Sequence, residues 1–153
     1  MTPDKSFTLR SATQADFRAI RRLIYDVQIN PMGLDWRRFI MAVDAEDRLV
    51  GCGQVKQHQD GSLELASIAV LPEWRKQGVA RVIILHLLES QPRPLYLTCR
   101  GRLRRYYEKF GFRDMTDSAD LPAYFRRIKR VVKVLQRLSF SRERMLVMRL
   151  DGR

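Results

Sequence analysis

The chain has 153 residues, 45% hydrophobic and 30% charged, an ordinary balance for one globular domain with a real core, expected to run 1–153 without a boundary. No apolar run approaches the roughly 20 residues that cross a bilayer, and the opening MTPDKSFTLR carries no apolar stretch behind its charges, so neither a membrane span nor a secretory leader is expected. Twenty-nine Lys and Arg stand against 17 Asp and Glu, a formal +12; such a field attracts nucleic acid, anionic membrane, acidic protein or a phosphorylated ligand, and does not choose among them.

In chain order, Phe7 to Arg10 reads as a short strand. Ala15 to Val27 follows as a helix with Phe17, Ile20, Leu23, Ile24 and Val27 at helical spacing and Thr13 as its N-cap. Asn30 to Gly33 is a loop. Phe39 to Val43 and Leu49 to Gln57 read as strands, and the Asp60-Gly61 turn leads into a third, Leu63 to Val70. After Pro72 the period changes. Gly78 to Glu89 is a helix apolar on most sides, which suits packing on a sheet and partial covering from outside. Pro92 and Pro94 stop it before the buried-type strand Leu95 to Cys99. Arg102 to Phe110 is a short helix ended by Gly111. A strand near Phe112, a long basic helix from about Pro122 to Leu138 and a last strand, Met145 to Leu150, complete an α/β chain: a mixed, mostly antiparallel sheet flanked by helices.

The turn from Leu71 to Arg81 joins a strand to a buried helix. Gly78 permits a tight turn, and the amides after it open the helix unpaired and backed by the positive end of its dipole. Lys76 and Arg81 add charge. This suits a pyrophosphate; an ordinary turn with one glycine is the competing reading. Neither the Gly-x-x-x-x-Gly-Lys-[Ser/Thr] loop nor Gly-x-Gly-x-x-Gly occurs between strand and helix here.

Arg75-x-x-Gly78-x-Ala80 resembles the [Gln/Arg]-x-x-Gly-x-[Gly/Ala] signature of the GNAT (Gcn5-related N-acetyltransferase) family. Tyr107-Glu108-Lys109-Phe110-Gly111-Phe112 resembles that family's Tyr-Glu-Lys-x-Gly-Phe run, in the expected order and context. The resemblance implies a GNAT-like fold and acetyl transfer from acetyl-CoA to a primary amine by direct attack in a ternary complex. The CoA pyrophosphate would lie on Lys76, Gln77, Gly78, Val79, Ala80 and Arg81 beside Arg75. Backbone groups of Ile68, Ala69 and Val70 would meet the pantetheine arm.

An alkylammonium must lose its proton before it attacks. Strand alternation puts Glu64 on one face with Ala66, Ile68 and Val70, an apolar setting that would raise its pKa. Its spacing back from Arg75 matches the strand glutamate that acts as base in the histone-acetylating branch of the family; a glutamate facing solvent at a strand edge is the alternative. The resemblance makes Tyr107 the acid for the departing thiolate, with a packing role for Tyr106 or Tyr107 as the alternative. Where many relatives carry an asparagine seven positions before that tyrosine, this chain has Arg100, suited to a CoA phosphate or to a solvated loop.

Gly51-Cys52-Gly53 runs along a strand and reads as close packing rather than a nucleotide fingerprint. His58 and His86 lack ligand spacing, so no metal site is expected. Cys52 and Cys99 form no Cys-x-x-Cys pair, which suits a reducing, cytoplasmic setting, and Cys99 reads as a core residue. In the basic helix, Tyr124, Phe125, Ile128, Val131, Val132, Leu135 and Leu138 form an apolar stripe beside Arg126, Arg127, Lys129, Arg130, Lys133 and Arg137. It reads as a solvated face, an acceptor-side wall, a dock for an acidic partner or membrane, or a nucleic-acid contact. As an acceptor wall it would disfavour polycations such as polyamines and favour acceptors carrying a carboxylate or acidic neighbours. The acceptor is a small molecule or a protein, and the chain a monomer or homodimer. The alternative function is a CoA-binding or basic nucleic-acid-binding module without turnover.

Overall fold

The computed structural model describes residues 5–138 and 143–152; the first four residues of the N-terminal stretch read for a leader lie outside them. The described strands are β1 (Thr8–Ser11), β2 (Phe39–Val43), β3 (Leu49–Gln57), β4 (Leu63–Val70), β5 (Leu95–Arg100), β6 (Arg113–Asp114) and β7 (Met145–Leu150). The helices are α1 (Phe17–Asp26), α2 (Val79–Ser90), α3 (Arg104–Glu108) and α4 (Ala123–Leu138). Hydrogen-bonded strand neighbours run β1-β2-β3-β4-β5-β7-β6. Pairing is antiparallel at β1–β2, β2–β3, β5–β7 and β6–β7 and parallel at β4–β5. The mixed, mostly antiparallel sheet is the one expected. The chain divides into two compact units, Met1–Lys56 with Leu65–Gln91, and Gln57–Glu64 with Pro92–Arg153.

In the first unit, alternation along β3 decides what each face can hold. Cys52 points into a core with Ile20, Leu23 and Ile24 of α1, Phe39, Met41 and Ala69. Gly51 and Gly53 point the other way. A Cβ on Gly51 would lie 2.7 Å from Val79 Cγ1, and one on Gly53 would lie 2.5 Å from Ile68 Cδ1 and 2.9 Å from Ile83 Cγ2. The two glycines therefore let α2 lie close to the strand, as the sequence pattern implies. α1 is preceded by a 3-10 turn, Gln14–Asp16, because Asp16 accepts the Thr13 N–H at 2.7 Å and tightens the first turn. α2 buries Val79, Ile83, Ile84, Leu87 and Leu88 but leaves Val82 and Leu85 exposed, so its all-round apolar sequence packs on one side.

In the second unit, β5 and β7 pair from Leu95↔Leu150 to Arg100↔Met145. Tyr96, Leu121, Phe125 and Val147 form a core against which α4 docks. The expected helix from Arg102 shortens to a 3-10 turn, Gly101–Leu103, followed by α3. Gly111, at φ +98, ends it as a left-handed residue must. Phe125 is the buried residue of α4, and the expected single apolar stripe divides. Ile128 and Val132 turn partly inward with it, whereas Val131, Leu135 and Leu138 join Val134 in solvent. Seven apolar positions spread over more than one helix face, and one face is all the packed sheet covers. None of the described helices is long and apolar enough to cross a membrane.

Candidate active site

The first unit carries the turn into α2. Pro72–Trp74 forms a 3-10 turn, and Lys76 and Gly78 then both take positive φ, +61 and +80. Gly78 is the α2 N-cap, with no side-chain cap, and a Cβ there would meet nothing within 4 Å. The glycine is thus demanded by backbone hand and not by space. The first intrahelical bond runs from the Val82 N–H to the Gly78 carbonyl. The N–H groups of Val79, Ala80 and Arg81 precede it and open the helix without an intrahelical partner. A turn of this kind leading into an open helix start is a backbone arrangement suited to an anion. Arg75, Lys76, Gln77 and Arg81 are exposed around it.

β4 departs from simple alternation. Ser67 sits at φ +59, uncommon for a residue with a side chain. Its Oγ accepts from Nε2 of the fully buried Gln54 at 2.9 Å. Glu64, Leu65, Ser67 and Ala69 are buried, while Ile68 and Val70 are half-buried. The expected shared face of Glu64 with Ile68 and Val70 is therefore interrupted at Ser67. Ile68 meets the α2 side at Gly53.

Glu64 itself belongs to the second unit, paired across the parallel ladder with Tyr96. It is 5% exposed, so it is not a solvent-facing strand-edge residue. Nor is its setting the apolar one that alternation implies. Oε2 lies 2.7 Å from His58 Nε2, and Oε1 accepts from the Thr98 hydroxyl at 3.3 Å. The imidazole is stacked on the Tyr124 ring at 3.4 Å between centroids and meets Phe125 edge-on at 5.8 Å. Asp60 accepts the Tyr124 N–H at 2.9 Å, which ties the hairpin turn to the start of α4. Hydrogen bonds from Ser62 and from that amide hold the Asp60 carboxyl down at about 2.

Metal-ligand spacing does not reveal the place that His58 takes beside Glu64. The available signal was the hairpin. The Asp60-Gly61 turn closes with the His58 N–H on the Ser62 carbonyl at 2.9 Å, bringing two residues six apart in sequence into contact at its base. Thr98 comes from β5 with no local pattern to mark it, and Tyr124 and Phe125 head the apolar stripe of α4, which marks the helix face but not the contact with His58.

Tyr107 lies half-buried in α3 with Tyr106 edge-on at 5.2 Å and Phe112 at 6.1 Å. Burial, then the neighbouring Cys99 and Tyr106, push its phenol well above the ordinary tyrosine range. It stays protonated, a donor rather than a base. Cys99 is 6% exposed with Sγ 3.7 Å from Met148 Sδ, and burial lifts its thiol to about 11, so it is the core residue expected. Arg100 ends β5 exposed, 3.7 Å from Glu143.

The sequence profile of the acetyltransferase (GNAT) domain matches residues 35–114, more than half of the chain. The chain belongs to the GNAT acetyltransferase family. No curated protein matches it by sequence. Among solved structures, this GNAT chain resembles Rv2747 from Mycobacterium tuberculosis, in complex with CoA, at TM-score 0.70 and 19% identity over 95% of this chain and 99% of that one. It also resembles N-acetylglutamate synthase from Neisseria gonorrhoeae, complexed with coenzyme A and N-acetyl-glutamate, at TM-score 0.68 and 18% identity; the match covers 97% of this chain but 36% of that one. The ribosomal-protein-S18-alanine N-acetyltransferase from Escherichia coli matches at TM-score 0.64 and 16% identity, over 95% and 94% of the two chains. At such identities these likenesses establish a shared fold.

Proposed function

We propose that this GNAT chain transfers acetyl from acetyl-CoA to a primary amine by direct attack, with no covalent enzyme intermediate. The observation that carries this reading is the buried Glu64 carboxylate, hydrogen-bonded to His58 Nε2 at 2.7 Å. A buried carboxylate needs hydrogen-bond donors whatever its task, and an imidazole is a partner that can also take up and pass on a proton.

The left-handed turn and the open start of α2 hold the CoA pyrophosphate through the amides from Lys76 to Arg81, with Arg75 beside them. Ile68, Ala69 and Val70 present backbone groups to the pantetheine arm, and an amide there stabilises the oxyanion. Glu64 takes a proton from the ammonium, and His58 carries it onward. The neutral nitrogen attacks the thioester carbon, the C–S bond breaks, and Tyr107 protonates the departing sulfur. Its phenol is restored by the second proton that the nitrogen sheds on becoming an amide. CoA-bound relatives of the same fold support the cosubstrate, and relatives named for acetylating an amino acid or a protein amine support the acceptor class.

The test is release of CoA thiol that depends on added amine. Loss of that release in Glu64→Gln, with acetyl-CoA still raising the melting temperature, is the expected result. Stabilisation by acetyl-CoA in the wild type without thiol release toward any amine would mark a binding module instead.

A further inference from the structure

The second unit contains a cavity of about 70 Å³ between α4 and the β5–β7 pair. On this measure a water needs roughly 10–15 Å³, so the space admits several waters or a carboxylate on a short methylene chain. Its walls are of two kinds. Ile128, Val132, Met145 and Val147 supply apolar surface, and Lys129, Lys133 and Arg144 supply charge. Arg144 is already neutralised by Asp117, which also lines the space and accepts from it at 3.0 Å through each carboxylate oxygen. Lys129 and Lys133 have no ion-pair partner among the described residues, and at four residues apart they share a face of α4. The lining is therefore net positive.

One wall residue of the cavity touches the carboxylate of the proposed base. Thr98 lines it, and the Thr98 hydroxyl is the one that donates to Glu64 Oε1 at 3.3 Å. Along α4, Tyr124 stacks on the Glu64-bound imidazole, and the two lysines follow at later turns. At 1.5 Å per residue they lie roughly 7.5 and 13.5 Å down the helix axis from Tyr124. A ligand with an amine at one end and an anion several bonds away matches that order: amine toward Glu64, anion toward the ammonium groups.

We propose that this cavity is the acceptor's anion-binding pocket and that the acceptor is a small amino carboxylate, its carboxylate held by Lys129 and Lys133. The proposal rests on the transferase reading above and deepens it. The volume suits a free small molecule. The remaining cations of α4, Arg126, Arg127, Arg130 and Arg137, are exposed and do not line the space.

The experiment compares 4-aminobutyrate with butylamine and 4-aminobutanamide as acceptors, by CoA release. The expected result is a kcat/KM at least tenfold higher for the carboxylate. The double variant Lys129→Met with Lys133→Met, which keeps the stems, should abolish that preference, and Arg130→Met on the exposed face should keep it. Equal use of the three amines, survival of the preference in the double variant, or its loss in Arg130→Met overturns the proposal while leaving the transferase reading standing. If the double variant folds poorly, Lys133→Met alone serves, with at least a threefold fall in the preference expected and an unchanged preference counting against the pocket. If none of these three amines releases thiol, calorimetric titration of 4-aminobutyrate into wild type and double variant decides the pocket: binding lost in the variant upholds it as a carboxylate site, and equal binding or none to the wild type overturns it. The transferase reading is then judged separately, by thiol release toward other amines.

Discussion

The turn into α2 and the surroundings of Glu64 are built on opposite principles. The turn is shaped by backbone: two left-handed residues and a helix start with no side-chain cap, in which Gly78 is the residue demanded by conformation. The surroundings of Glu64 are assembled from side chains of the hairpin, β5 and α4, each brought by a different packing contact. A backbone site can be read in a short motif because few sequences tolerate its geometry. A side-chain site is assembled by tertiary structure and leaves no spacing to find.

The sharpest division between the two is a pair of substitutions. Glu64→Gln should lower kcat by about 10²–10⁴ with the acetyl-CoA dissociation constant unmoved. Unchanged turnover with an unchanged pH profile removes Glu64 from the mechanism. Gly78→Val should do the reverse, weakening acetyl-CoA by roughly tenfold or more. A β-branched residue at φ +80 is forced out of the left-handed region, and the amides lose their aim. Because a Cβ at Gly78 meets nothing, the variant should still fold, and its acetyl-CoA-induced rise in melting temperature is the quantity to measure. Retained affinity would mean that the turn does not hold the pyrophosphate.

The same contrast explains what was legible. β2, β3, β4 and β7 have the bounds that alternation and turn residues imply, because each is flanked by clear punctuation and buried on a definite face. Gly51 and Gly53 were readable as packing residues, since a strand glycine without a turn has few other uses. The break at Ser67 was not readable. It depends on Gln54, thirteen residues away, reaching a hydroxyl held at φ +59, and nothing local distinguishes that serine from an ordinary strand residue. The role of His58 was hidden for a related reason: its partner is a single carboxylate across a hairpin, which no ligand spacing marks.

His58 therefore tests whether the side-chain site functions as a unit. Glutamine at 58 can still hydrogen-bond Glu64 but cannot carry a proton. His58→Gln should lower kcat by about tenfold and alter the pH–rate profile, with acetyl-CoA affinity unchanged. A normal profile would make the imidazole a packing element under Tyr124. Tyr107→Phe should likewise impair turnover while the fold survives, since its ring contacts with Tyr106, Phe110 and Phe112 remain. Wild-type rates would show that the hydroxyl is not the acid.

The smallest effect falls on the scaffold of that site. Asp60 accepts the Tyr124 N–H at 2.9 Å and so satisfies one of the free donors at the start of α4. Asp60→Ala should cost about 1 kcal/mol, the usual loss for a helix cap. The ionised carboxylate is favoured by folding, with its pKa lowered from 3.8 to about 2 by hydrogen bonds from Ser62 and Tyr124. A group depressed in this way contributes fully above the unfolded value and loses its contribution as pH falls toward the folded one. The melting-temperature gap between wild type and Asp60→Ala should thus be widest near neutrality and close between about pH 4 and pH 2. A gap that persists at pH 2 would show that Asp60 stabilises the turn through its neutral form. The tie between the hairpin and α4, and with it the stacking of His58 on Tyr124, would then owe little to charge.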